Sequence, residues 1–341
     1  MPVSLSSRIG LDLGSWKTVM IRGGRKMPFH EPTLLAVDGG RSRVEYWGRE
    51  ARERLGKLPS GLEFIRPIRR GTIADYAAVL FFLKKAFARA MPPPRVFKPV
   101  VVASVPIHLT SVAVRALGDA VREAGGGHLY LIPCNIASSI HVLAGGDSPA
   151  GFMVMDFGAG TTDVSVIASG EIVIGRTVAL GGEDLNAVIR RLLEVSFGLR
   201  VGEGEAEELK RRAGVAAHAS DEMYVKRKAD TASAGVFTEV KAPLEAVSSN
   251  LRRALQPVLD AVFGVLEETP PELFEDIMRK GLYLTGGSAK MPGLVEFLEE
   301  KTKLKVTVPS NPELTPILGI GRILLSDGGF RRQRERMTVV P

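Results

Sequence analysis

The stretch Phe152-Met-Val-Met-Asp156-Phe-Gly158-Ala159-Gly160-Thr161-Thr162-Asp-Val164 decides how the chain is read. A small apolar run from Gly151 to Met155 ends in the Asp156 carboxylate, and a β-rich run from Val164 to Ala168 follows the Gly-rich turn. This is the pattern of a buried strand entering a hairpin. Glycines let backbone amides approach a phosphate, threonine hydroxyls add donors, and a carboxylate at the strand end suits a hydrated Mg²⁺.

One Gly-rich turn is a weak signal, but the pattern repeats. Arg8-Ile-Gly-Leu-Asp12-Leu-Gly14-Ser15-Trp16-Lys17-Thr18-Val-Met-Ile21 places Asp12 opposite Asp156, Gly14 opposite Gly158 and Thr18 opposite Thr162. Two matching units this far apart predict two similar halves that face one ligand from both sides. A third element, Gly281-Leu-Tyr-Leu-Thr285-Gly286-Gly287-Ser288-Ala289-Lys290-Met291-Pro292, reads as a strand entering a Gly-Gly turn, with Pro292 in the first turn of a helix to about Thr302.

Together these elements resemble the actin/hexokinase/heat-shock-chaperone superfamily, and within it the MreB family of bacterial actins that govern rod cell shape. Glu31-Pro-Thr-Leu-Leu-Ala-Val37, Ile65-Arg66-Pro-Ile68, Leu180-Gly-Gly-Glu-Asp184 and Thr269-Pro-Pro-Glu-Leu273 extend the resemblance over nearly the whole chain. It implies an α/β fold of two ribonuclease H-like halves, each with a small inserted subdomain and with the nucleotide cleft between them. The implied division is 1–30, 67–147 and 316–341 for the first large subdomain, with 31–66 as its insert. Residues 148–183 and 243–315 form the second, with 184–242 as its insert.

The resemblance implies ATP as ligand, with Mg²⁺ near Asp12 and Asp156. Gly14 to Thr18, Gly158 to Thr162 and Gly286 to Lys290 would hold the phosphates, with Lys17 as a point charge. The stretch Glu207-Glu208-Leu209-Lys210 would meet the adenosine, with Glu207 on the ribose and Lys210 beside the base. Trp16 has no evident role beside a phosphate. Where family members carry two glutamates and a proline, this chain has Pro133, Cys134 and Asn135. A thiol is a poor acceptor and an amide cannot take a proton, so slow hydrolysis follows.

The chain has 341 residues, 45% hydrophobic and 24% charged, enough for two real cores. One cysteine excludes an internal disulfide framework, and no apolar run reaches the length of a membrane span. A cytoplasmic protein is expected. The net charge of +7 suits either nucleic acid or anionic lipid. Basic residues do not interleave with aromatics in one stripe, so nucleic acid is the weaker option. The basic run Arg331 to Arg336 reads as a solvated C-terminal end.

The segment Met91-Pro-Pro-Pro-Arg-Val-Phe97 reads as a polyproline connector. By resemblance its Met91, Val96 and Phe97 insert into the membrane, which makes the protein peripheral at the inner face of the cell membrane. Further implied partners are other copies in head-to-tail filaments, the cell-wall elongation proteins and membrane adaptors. The alternatives are a small-molecule kinase, for which no further acid near the cleft is apparent, or a divergent actin-like recruitment protein. Pro243 to Thr269 is expected as one long amphipathic helix, and Thr315 to Leu325 as the final one.

Overall fold

The computed structural model describes residues 7–22, 26–41, 43–55, 58–91, 97–143, 150–218, 221, 223–228, 237–325 and 327–340. Two sheets carry the architecture. From edge to edge the first runs Thr338–Val340, Leu129–Pro133, Val100–Val105, Arg8–Leu13, Lys17–Arg22, Lys26–Pro32. The second runs Val306–Thr307, Leu282–Thr285, Phe152–Phe157, Thr162–Ala168, Glu171–Val178. In each, an antiparallel meander of three strands leads, a later strand pairs in parallel with its first strand, and a further one pairs in parallel with that. The repeat seen in the sequence is thus a repeat of topology. The first sheet gains one further edge strand, because Thr338–Val340 pairs antiparallel with Leu129–Pro133.

Central strands buried on both faces need continuous apolar runs, and Phe152–Phe157 is buried along its whole length. The helices Cys134–Val142 and Thr315–Leu324 lie between the sheets. Their core joins Val19, Ile21 and Ile132 of the first sheet to Phe152, Val154 and Ile167 of the second, through Ile136, Ile140, Ile317 and Ile320. The two helices touch backbone to backbone: a Cβ at Gly319 would lie 1.7 Å from the Ala137 carbonyl oxygen. Only glycine fits there, so this contact fixes how closely the two helices pack.

Three small sheets complete the described residues, the least of them the pair Ile68–Arg69 and Thr72–Ile73. Leu35–Asp38 lies between Val44–Trp47 and Leu62–Ile65, beside the short helix Gly48–Glu53, and Tyr224–Lys228 pairs with Phe237–Lys241. The helix Tyr76–Ala90 starts where Asp75 accepts the Ala78 amide and buries Phe82, Ala86 and Phe87.

Several expectations are corrected. The long helix is two, Leu244–Ala254 and Gln256–Glu267, because Pro257 has no N–H to continue the ladder. The helix after Pro292 begins only at Leu294. The C-terminal segment is not merely solvated: Asp327–Arg334 is helical, and Phe330, Met337 and Val340 are buried although the arginines stay exposed. Arg8 anchors it through Asp327 at 2.7 Å and the Phe330 ring at 4.5 Å. Met91 is 5% exposed and packs in the first half's core, so it is not a surface anchor. Phe97 is exposed, and Val96 lies outside the described residues. Among the described residues no helix is long and apolar enough to cross a membrane.

Candidate nucleotide cleft

The two hairpins end in matching turns. The Gly14 amide donates to the Lys17 carbonyl at 3.0 Å, and the Gly158 amide to the Thr161 carbonyl at 2.9 Å. The turns face each other across a cavity of about 520 Å³. They approach closely, since a Cβ on Gly160 would fall 2.6 Å from the Ser15 hydroxyl. Ser15, Trp16 and Lys17 line one wall, and Ala159, Gly160 and Thr161 the other.

Thr18 and Thr162 are at matching positions for a different reason from the expected one. Both are fully buried and lie outside the lining. Thr18 shares a hydrogen bond with Thr33 at 2.8 Å, and Thr162 donates to the Leu180 carbonyl at 2.7 Å. They hold the hairpins in place and do not reach the cavity.

Behind the turns stand three acids. Asp12 accepts from the Ser104 hydroxyl at 2.9 Å. Burial raises its pKa, opposed by Lys17 and that hydrogen bond. Asp156 is pushed up to about 8, first by burial and then by Asp163 and Asp12. Asp163 is the residue the sequence reading missed. It stands where the first hairpin has Val19, so comparing the hairpins gives it no partner. It corrects the expectation that no further acid lies near the cleft. Its Oδ1 accepts the Ile107 amide at 3.0 Å, a tie between the two halves, and the Thr177 hydroxyl of the neighbouring strand.

Of these three buried acids Asp12 and Asp156 face Lys17, and the cluster is short of positive charge, which fits a divalent cation. No group of three acidic, histidine or cysteine side chains forms a cage among the described residues.

Pro133 ends a strand, so Cys134 opens the next helix and lines the cavity. Its Sγ is 3.7 Å from Asp163 Oδ2, and burial followed by Asp163, Asp156 and Asp12 pushes the thiol well up. It therefore stays protonated at neutral pH. Asn135 turns away from the cavity and is fully buried. Its amide nitrogen serves the Val154 and Asp163 carbonyls and the Ser165 hydroxyl at 2.8 to 3.2 Å. It is a strut for the second hairpin, which corrects its assignment as a water-holding group.

On the helix Glu203–Ala213, Glu207 lines the cavity together with Lys210 and Arg211 one turn later. Lys210 donates to Glu207 Oε2 and to the Gly182 carbonyl, each at 2.8 Å. Burial works to raise Glu207, but Lys210, Asn186 and Arg211 outweigh it and hold the carboxyl below its ordinary value. Glu208 is exposed and Leu209 lies in the core, so neither belongs to the site. Gly286, Gly287, Ser288 and Lys290 line the floor, whereas Ala289 packs inward. At Gly286 φ is +87° and a Cβ would meet the Phe157 carbonyl oxygen at 2.3 Å, so this turn needs glycine.

Trp16 acquires a role. Its ring lies between the guanidinium groups of Arg52 and Arg66, 5.0 and 4.9 Å from its centroid. Arg66 also pairs with Glu203 and, at 3.6 Å, with Glu183, while Arg70 pairs with Asp184 at 3.0 Å. These ion pairs join the halves across the mouth of the cleft.

Against known proteins, residues 6–328 match the model of the MreB/Mbl protein family. The chain is 32% identical over 317 residues to the cell shape-determining protein Mbl of Bacillus subtilis, covering 93% of this chain and 95% of that one. It is 29% identical over 327 residues to the cell shape-determining protein MreB of Escherichia coli, covering 94% and 93%. The fold is similar to the crystal structure of Spiroplasma citri MreB5 bound to ADP, with a TM-score of 0.87 and 25% identity over 97% of this chain and 99% of that one. It is also similar to the MamK double helical filament, with a TM-score of 0.77 and 19% identity over 94% and 99%. The actin-like fold is therefore shared.

Proposed function

This chain belongs to the MreB/Mbl family, and from that premise we propose that it binds ATP with Mg²⁺ and assembles head to tail into membrane-associated filaments that organise cell-wall synthesis. The observation that supports nucleotide binding most is the pair of Gly turns facing each other with Lys17, Asp12 and Asp156 between them. The turns and Lys17 hold the phosphates, Glu207 accepts from the ribose, and Asp12 and Asp156 hold the cation through water. Mg²⁺ bound there supplies the positive charge that phosphates and acids together require.

Hydrolysis is slow because the position beside the reacting water carries a protonated thiol. Cys134 excludes solvent there but accepts no proton, and losing a general base typically costs about 10²–10⁴-fold. ATP thus acts chiefly through closure. Bound in the cleft, its phosphates would be held by both turns, beside the ion pairs Arg66–Glu183, Arg66–Glu203 and Arg70–Asp184 that already join the halves across the mouth. The closed shape presents the surfaces for a heterologous contact, which propagates as an open filament when the rotation does not close. Phe97 beside Lys98 supplies an apolar and cationic anchor for anionic lipid.

The test is co-sedimentation of the purified protein with ATP, ADP or no nucleotide, with and without anionic liposomes, reading phosphate release from the same tubes. ATP-dependent pelleting with little phosphate release is expected. No pelleting in any tube, with turnover only after a small hydroxylated substrate is added, would replace this reading with a kinase.

A further inference from the structure

Beside the first turn lies a second concavity, of about 530 Å³, that shares Trp16 and Lys17 with the cleft. Its other walls are His30 and Pro32 of the strand Lys26–Pro32 and Arg49, Arg52 and Glu53 at the helix Gly48–Glu53. Three basic side chains, Lys17, Arg49 and Arg52, thus converge with a single carboxylate. Nearby arginines are paired, Arg54 with Glu50 and Arg89 with Glu31. Lys17, Arg49 and Arg52 form no ion pair among the described residues.

The natural counter-ion is already used. Glu31 Oε1 takes the Arg89 guanidinium at 2.8 Å, and Oε2 takes the backbone amide of Arg49 at 3.0 Å. The Arg49 side chain is left without it. The crowding shows on the neighbours. His30 is held below its ordinary pKa by burial and then by Lys17 and Arg49, and Arg52 is lowered by burial and then by Arg211.

We propose that this groove binds a phosphate-class oxyanion, with Arg49 and Arg52 as forked donors, Lys17 as a point charge and Trp16 as the wall toward the nucleotide cleft. Guanidinium forks match tetrahedral oxyanions in shape as well as charge. Because Lys17 borders both cavities, a phosphate released in the cleft reaches the groove without leaving the field of the protein. That source rests on the nucleotide reading above; the groove itself does not. A lipid phosphate is the other source of the same chemistry.

The experiment uses full-length Trp47→Phe protein, in which Trp16 is the only tryptophan left of the two. Its emission is titrated with inorganic phosphate against chloride of equal ionic strength, with and without saturating ADP. Vesicles of phosphatidylcholine, alone or with phosphatidylglycerol, form a parallel series. A saturable, phosphate-specific response is expected in both nucleotide conditions. Arg49→Gln weakens it about tenfold, the effect of one charge-assisted hydrogen bond, and leaves ADP affinity unchanged.

If Arg49→Gln also loses binding to the anionic vesicles, the headgroup is the source; if vesicle binding is kept, phosphate from the cleft is. A response equal to that of chloride overturns the proposal. So does phosphate binding of parental affinity in Arg49→Gln, which places the ion in the cleft. Failure of ADP to bind, with the phosphate response and its Arg49 dependence intact, removes the nucleotide reading and leaves the groove.

Discussion

Replacing Asp156 by asparagine should make the nucleotide-free protein more stable. The carboxyl is buried at the back of the cavity, and burial, Asp163 and Asp12 raise it from 3.8 to about 8. Between those values the folded chain keeps a proton that the unfolded chain has released, so stability falls as pH rises from about 4 to 8 and is flat above that window. At 1.36 kcal/mol per unit, the three units between 3.8 and pH 7 amount to about 4 kcal/mol. Asn keeps an acceptor for Thr285, and Asp12 and Asp163 still repel each other, so a gain of about 2–4 kcal/mol is expected at pH 7. Urea unfolding of EDTA-treated protein at pH 4, 6 and 8 measures it. The variant should exceed the parent at pH 8 and converge with it at pH 4. With Mg²⁺ and ATP the order should reverse, because the parent alone gains the cation. A variant no more stable than the parent at pH 8 would refute the charge argument.

Three further outcomes follow from the geometry. Cys134→Glu should raise single-turnover phosphate release by about 10²-fold, the lower end for a general base, since the new carboxylate meets Asp163 close by; an unchanged rate means that the slow step lies elsewhere. Arg66→Ala removes the Glu183 and Glu203 pairs and one face of the Trp16 stack, so nucleotide should dissociate about tenfold faster in stopped flow, and a parental rate would show that the mouth pairs do not restrain the ligand. Phe97→Ser should weaken binding to anionic liposomes at unchanged stability, whereas Met91→Ser should cost about 2–5 kcal/mol in denaturant; equal liposome binding by Phe97→Ser and parent would place the anchor elsewhere.

The architecture was legible because its logic is local. Each hairpin has apolar strands, an acid and a Gly turn within about fourteen residues, and the pattern occurs twice. A contiguous stretch does not map whole onto a site: a helix turns one side to the cavity, so Glu207, Lys210 and Arg211 reach it while Glu208 and Leu209 do not. Asp163 has no counterpart in the first hairpin, so the repeat does not mark it. The role of Trp16 was hidden for another reason. Its partners Arg52 and Arg66 lie far along the chain, and only the tertiary fold brings them to its ring. Asn135 likewise reads as a cleft residue until the helix phase turns it inward.

The edge strand Thr338–Val340 bears on how the protein is made. It pairs with Leu129–Pro133, about 200 residues earlier, and the whole second sheet lies in the chain between them. At a synthesis rate of ~5–20 residues per second, the earlier strand waits about 10–40 s for its partner. The half that begins first is therefore completed last. The second half, contiguous from Phe152 to Thr307, can settle while the first still shows an open sheet edge beside Cys134. Such an edge invites pairing with other chains, so the interval before residues 338–340 emerge is when this protein most needs protection from its own copies.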